Sequence, residues 1–307
     1  MVEAGNITNA AEELHVAHTA LGLQIRNLER ELDSELFTRH SRGMTITEAG
    51  RVLYDHAVEI LALAAEARRE VRSHGKGGSR SQPITLGITP SISNLIGPDI
   101  VVAARELLCG TPLKIVEELS FVLLDALSRG ELDAALAYEV PPRRGVHRTP
   151  LMEELLLFVA PPGAVEGDGP VAFKDLAASE LALTSSRDMV WNLVRDTAER
   201  LALPVNIAFE VQSLQAIKSL IQRGMATSVM PYGVVAAELE EGSVAARAIV
   251  RPELVRTLFL ARAEEKMPFP EEERFLHFMT EIMGLLQRSI GRHGRVIKPL
   301  IEDPAPD

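Results

Sequence analysis

Cysteine is nearly absent from this chain, Cys109 being the single one among 307 residues. That excludes an internal disulfide framework and any cysteine-based zinc knuckle, and it implies a reducing, cytoplasmic setting. No run approaches the ~20 apolar residues that span a bilayer, and no basic N-terminal segment leads into a short apolar one, so neither membrane insertion nor secretion is expected. The signatures of common enzymes are missing too: there is no G-x-S-x-G, no G-x-x-x-x-G-K and no H-E-x-x-H. Catalysis, metals and cofactors are therefore not expected, and Cys109, ending the apolar stretch Leu107-Leu108-Cys109, reads as an inert buried thiol. Positive charge is short as well. With 32 Lys and Arg against 43 Asp and Glu, a net charge of −11, the chain is no bulk electrostatic coat for nucleic acid, although a local basic site is compatible with it.

The acidity is unevenly placed. Up to Gln82 there are 10 basic and 12 acidic residues, and after it 22 and 31. Between the two parts, Gly75 to Gln82 (GKGGSRSQ) is polar, rich in Gly and Ser and without periodicity, as in a flexible hinge.

In the N-terminal part, Asn6 is placed to cap a helix over Ile7 to Leu14, with Ile7, Ala10, Ala11 and Leu14 at helical spacing. After a short break a second amphipathic helix runs from about His18 to Leu32, with Leu21, Ile25, Leu28 and Leu32 on one face. Two short helices with so tight a turn predict a helix-turn-helix whose second helix enters a major groove. The apolar pairs around Arg39-His40-Ser41-Arg42-Gly43 predict a small β-wing with a basic tip. Thr47 is placed to cap a long helix, with Glu48 in its first turn.

These residues carry a resemblance. Ala10-Ala11-Glu12-Glu13-Leu14, Ala20-Leu21, Gln24-Ile25, Leu28-Glu29, Glu31-Leu32, Leu36-Phe37, Arg39, Arg42-Gly43 and Thr47-Glu48-Ala49-Gly50 resemble the winged helix-turn-helix of LysR-type transcriptional regulators. Gly43 to Leu61 and Leu132 to Glu139 are most similar to the family's nitrogen-assimilation control branch. The resemblance implies that His18, Thr19, Gly22, Leu23 and Gln24 are DNA-binding positions, with His18, Thr19 and Gln24 near bases and Arg39 and Arg42 on the backbone or in a minor groove. The family usually opens this helix with Ser-Gln-Pro and continues with Ser-Arg. Here Ala17-His18-Thr19 and Gly22-Leu23 stand instead, and Gly22 costs roughly 1 kcal/mol of helix stability against Ala. The family also has a complete first helix ahead of Gly5, of which only Met1 to Ala4 are present here, so either the start lies upstream, the favoured expectation, or the domain lacks one wall of its small core.

From Thr47 to about Ser73 the apolar positions Leu53, Ala57, Ile60, Ala64, Ala67 and Val71 alternate spacings of four and three, a heptad seam. A lone helix of this length has little in its own chain to pack on, so pairing with a second copy through Leu53, Ala57, Ile60 and Ala64 is expected. In the resembled family this helix forms the dimer contact.

Beyond Pro83, strand-like and helix-like segments alternate. Strands are expected at Ile84 to Ile88, Leu113 to Glu117, Asp133 to Tyr138, Leu181 to Leu183 and Val205 to Val211. Helices are expected up to Leu108, up to Arg129, from Asp188 to Leu201, from Leu214 to Arg223 and from Glu271 to Ser289, the last returning to the first round. Such alternation predicts parallel sheets in two α/β subdomains. It is similar to the periplasmic-binding-protein-like effector domain of LysR-type regulators. The expected organisation is a winged helix-turn-helix over 1–46, a linker helix over 47–74, a hinge over 75–82, the effector domain over 83–300 and a disordered tail over 301–307.

Ligands of open α/β sheets bind beyond the carboxyl ends of strands, where helix N-termini present free N–H groups. The first strand feeds Thr89-Pro90-Ser91, with Thr89 as the cap, and a later one feeds Thr184-Ser185-Ser186-Arg187. Thr89, Ser91, Ser185, Ser186 and Arg187 are therefore expected to hold a small anionic or polar metabolite. Tyr138 is read equally as core or cleft lining, Gln212-Ser213 and Thr227 as weaker candidates on the crossover strands, and Trp191 as packing between helix and sheet.

The reading is a homo-oligomeric, dimeric or tetrameric, sequence-specific DNA-binding transcriptional regulator tuned by a small-molecule effector. Its alternatives are a metabolite- or partner-binding protein that has lost DNA binding, for which Gly22 and Leu23 speak, and an α/β enzyme fused to a helical adaptor.

Overall fold

The computed structural model describes residues 7, 10–11, 16–40, 43–57, 60, 83–143, 145–164, 169–264, 267, 272–297 and 300. The hinge, the tail, Arg42 and Ala64 lie outside them, as does the side chain of Arg39. The chain divides into two compact units, Met1–Val71 and Arg72–Asp307.

In the first unit, helical residues Ile7, Ala10 and Ala11 precede α1 (His18–Glu31), and Ala10, Ala11 and Leu21 are buried together against Ile7 and Ile25. Strands β1 (Phe37–His40) and β2 (Gly43–Ile46) pair antiparallel to form the wing. Glu29 ties the wing to α1: its Oε1 accepts from the backbone N–H of Leu36 at 2.9 Å and of Phe37 at 3.3 Å. The next helix starts at residue 48. Thr47 caps it as expected, its Oγ1 accepting from the Gly50 N–H at 3.0 Å. Gly50 is dictated by sterics, since a Cβ there would lie 2.2 Å from the Leu36 carbonyl oxygen. This helix is described over residues 48–57 and at Ile60.

The second unit holds two subdomains. Parallel strands β3 (Ile84–Ile88), β4 (Leu113–Glu117) and β5 (Ala134–Tyr138) alternate with α2 (Pro90–Leu107) and α3 (Ser120–Ser128), as the sequence predicts. Two long strands were not foreseen. β6 (Val146–Ala160) and β12 (Val255–Ala263) run antiparallel to each other, and β12 antiparallel to β5, so the sheet is mixed rather than parallel.

β6 is also the crossover. Its residues up to Leu155 pair with β12 and with β13 (Gly294–Val296), and those from Leu156 onward with β10 (Ser228–Pro231) and β11 (Ala245–Val250). Around that second half lie β7 (Val171–Ala172), α4 (Phe173–Ala177), β8 (Leu181–Leu183), α5 (Met189–Arg200), β9 (Ile207–Glu210), α6 (Leu214–Gln222) and α7 (Tyr232–Glu240). The last helix, α8 (Glu272–Ile290), returns to the first subdomain, burying Phe275, Phe278, Met279 and Ile282 with Ile92, Ile96 and Ile100 of α2. Each such fully buried side chain contributes about 1.5–3 kcal/mol relative to exposure. Trp191 packs half-buried against the second subdomain's core. Cys109 corrects the expectation of a buried thiol: it is exposed, in the turn after α2 with φ 40°.

α7 and α2 hold the two subdomains close. Gly233 permits this, since a Cβ on it would sit 2.3 Å from the Ser91 carbonyl oxygen.

Candidate effector cleft and DNA-facing helix

On α1 the exposed face carries Thr19, Leu23 and Arg26, with His18 and Gln24 exposed beside it; Leu23 is 51% exposed. Gly22 departs from this set, being buried and facing Ile7, whose Cδ1 lies 3.6 Å from where its Cβ would be. Arg26 was missed by the sequence reading, although its place one and two turns after Leu23 and Thr19 puts it on the same face. α1 opens on Ala17 with no side-chain cap. In the following helix Leu53 and Ala57 are half-buried and Ile60 is 65% exposed.

The cleft between the subdomains holds a partly open cavity of about 40 Å³. Thr89 just ahead of α2 and Ser91 in its first turn line it, the loop after β8 presents Thr184 and Asp188, β10 and β12 contribute Ser228 and Arg256, and apolar side chains such as Leu183, Ile217 and Met230 make up most of the rest. Two larger spaces flank it. One, about 490 Å³, reaches Tyr138, Asp125, Arg143 and Arg187; the other, about 430 Å³, reaches Ser185, Gln212 and Lys218.

The floor of the cleft is a buried polar network. Arg256 lies face-on over the Tyr138 ring, 3.4 Å from its centre, and donates to Glu154 Oε2 at 2.7 Å and to Ser91 Oγ at 2.9 Å. Burial opposes the charge on Arg256, but Glu154 and its neighbours outweigh it and hold the guanidinium above its usual pKa. Burial pushes the Tyr138 phenol far above its ordinary range. It likewise raises the pKa of Asp188, whose carboxylate is partly relieved by a hydrogen bond from the Thr184 hydroxyl. Glu154 and the Tyr138 hydroxyl are buried together, and Glu154 helps to keep the phenol protonated.

The expected effector residues divide. Thr89 and Ser91 stand together at the cavity, but Thr89 does not cap α2; its hydroxyl pairs with Ser91 Oγ at 3.2 Å. Ser185 is buried, and its Oγ accepts from the Arg187 N–H at 3.2 Å. Ser186 is exposed, its N–H donating to Glu210 Oε1 at 3.2 Å. Arg187 is not free for an anion: it donates to Asp125 Oδ2 at 3.0 Å and stacks over Phe121 at 4.6 Å. Tyr138 is fully buried, as core and cleft wall at once.

Ser213 and Thr227 are not on crossover strands. Ser213 caps α6, accepting from the Ala216 N–H at 3.2 Å, and Thr227 donates at 3.1 Å to Ser179 Oγ and to the Glu180 carbonyl. The sequence reading missed Arg256, Glu154 and Asp188. Their signal was available in part, since Glu154, next to Glu153, interrupts the apolar run from Leu151 to Ala160, where a buried charge needs a partner.

Among the described residues no group of three or more His, Cys, Asp or Glu could hold a metal ion, and no helix is long and apolar enough to cross a membrane.

Comparison with known proteins bears on both parts. The family profile described as a bacterial regulatory helix-turn-helix protein of the lysR family matches residues 1–51, and that of the LysR substrate binding domain matches residues 77–284. The nitrogen assimilation regulatory protein nac of Klebsiella aerogenes is 33% identical over 235 residues, 75% of each chain. The HTH-type transcriptional regulator BbuR of Bordetella bronchiseptica is 26% identical over 94% of this chain and 88% of its own. Among solved structures, a full-length OxyR from Pseudomonas aeruginosa has a TM-score of 0.59 at 22% identity, covering 97% of this chain and 95% of that one. Full-length BenM has a TM-score of 0.57 at 22% identity, covering 93% of each.

Proposed function

Because the chain belongs to the LysR family of bacterial transcriptional regulators, we propose that it binds a two-fold or pseudo-palindromic DNA site as an oligomer, under the control of a small polar molecule held between its two α/β subdomains. The observation that carries this reading is the small cavity in the cleft, mostly apolar but with Thr89, Ser91, Thr184, Asp188, Ser228 and Arg256 in its wall, lined by buried groups of both subdomains. Such a site couples ligand to geometry, since a ligand touching both walls favours one arrangement of the subdomains over others.

On α1, His18, Thr19, Leu23, Gln24 and Arg26 are the DNA-facing residues, with Arg39 and Arg42 of the wing on the backbone or in a minor groove. The acidic balance of the chain supports few phosphate contacts and modest nonspecific affinity. The exposed Ile60, continuing the half-buried Leu53 and Ala57, supports a dimer contact through the helix that begins at residue 48. Light scattering on Ile60→Asp tests that contact; an unchanged assembly state removes it.

Gel-shift titration against the gene's own upstream region, with and without a panel of small polar metabolites, tests the function. A salt-resistant preference over random DNA that one metabolite alters is expected. No such preference would favour a metabolite-binding protein without DNA binding, the reading to which the exposed Leu23 lends support.

A further inference from the structure

Leu23 is 51% exposed on α1, the second helix of the helix-turn-helix, and lies outside the core of its unit, which Ala10, Ala11 and Leu21 form with Ile7 and Ile25. By helical geometry it stands roughly 160° around the axis from both Leu21 and Ile25, on the side away from that core. The other exposed leucines of α1 differ in this respect. Leu28 and Leu32 continue the stripe of Leu21 and Ile25 along the edge of the core. A single exposed leucine is ordinary on a protein surface, but this one is on the face that enters the groove. Thr19, one turn earlier, and Ala20 are exposed with it, so the outward side of the first two turns carries three methyl-bearing residues, flanked by the hydrogen-bonding Gln24, Arg26 and Asn27.

In a major groove this face meets base edges made of hydrogen-bond donors and acceptors, and the thymine 5-methyl is the apolar group among them. Leucine satisfies no donor or acceptor. Set against guanine or cytosine it would strip water from polar atoms and return nothing, whereas against thymine it replaces water by an apolar contact. Resting on the DNA-binding reading above, we infer that Leu23 is a specificity-determining residue that reads a thymine methyl, with Thr19 and Ala20 beside it. An oligomer on a two-fold site repeats the contact, so each half-site carries a thymine at the same position. An apolar side chain adds nothing to phosphate affinity, and the contribution of Leu23 is to sequence preference.

Selection from random duplexes by the full chain should yield sites with a thymine at one fixed position in each half. Leu23→Arg, whose guanidinium matches the O6 and N7 of guanine, should replace that thymine by guanine. The selected duplex is then remade with deoxyuridine at those positions, which pairs as thymine does and lacks the methyl. Losing one methyl contact is expected to weaken binding about fourfold, and losing both on the order of tenfold, in a gel-shift titration. Leu23→Gln, with helix propensity close to that of leucine and its fold verified by circular dichroism, should bind the thymine and uracil duplexes within about twofold of each other. Equal affinity of the parent for the two duplexes would overturn the inference, as would a thymine preference unaltered in Leu23→Gln or the same base selected by the parent and Leu23→Arg. Those failures leave DNA binding itself standing. A parent that selects no sequence at all overturns the DNA-binding reading and this inference together.

Discussion

Arg187 and Asp125 form an ion pair across the cleft, 3.0 Å from guanidinium to carboxylate, with Arg187 in the loop before α5 of one subdomain and Asp125 on α3 of the other. Arg143 approaches the same carboxylate at 3.4 Å. One acid therefore holds two arginines that a ligand could otherwise use.

Asp125→Asn should release both. The pair is partly exposed, so thermal denaturation is expected to show a loss of no more than about 1 kcal/mol. Acetate affinity should rise, because Arg187 and Arg143 lose their internal anion. An unchanged acetate affinity in the variant would mean that these arginines do not face the ligand space.

The buried pair of Arg256 and Glu154 behaves differently. Glu154→Gln leaves Arg256 charged and without its counter-ion, at an expected cost of about 3 kcal/mol in chemical denaturation. Replacing both, as Glu154→Leu with Arg256→Met, removes the stranded charge and should recover most of that loss. A single variant as stable as the parent would show that water reaches Arg256.

Asp188 predicts a pH dependence with a definite sign. Burial raises its pKa above the ordinary 3.8, so the folded chain binds this proton more tightly than the unfolded one. Its contribution is fully favourable at low pH and declines as pH rises from the unfolded value through the folded one. Asp188→Asn should therefore be at least as stable as the parent at pH 7, with the difference shrinking toward pH 4. Melting curves across that range would expose an error as a variant less stable at neutral pH.

Ala17 has N-cap backbone geometry, φ −67° and ψ 136°, but offers no acceptor to α1. Ala17→Ser should supply one and stabilise the helix by about 1 kcal/mol. A gain in melting temperature of the first unit's transition is the expected readout, and no gain would mean that the first-turn N–H groups are already satisfied.

Much of the architecture is local in origin, and the sequence alone determined it. Ile7, Ala10, Ala11 and Leu21 declare the helix-turn-helix by spacing, Thr47 declares the following helix by capping, and the alternation from Ile84 to Tyr138 declares a parallel unit. Periodicity and capping act over a few residues, so they are legible without a fold. Thr89 and Ser91 were found in the same way, as residues at a strand's end.

Tertiary structure alone decided the rest. β6 belongs to two subdomains, so its two halves are buried by different neighbours and no single alternation marks it. Glu154 and Arg256 are 102 residues apart and meet only when β6 and β12 pair. Arg187 looked like an anion's partner by type and position, yet its carboxylate comes from Asp125, 62 residues earlier. Whether a charge is free or matched depends on what the fold brings within hydrogen-bond distance, and sequence spacing does not encode that separation.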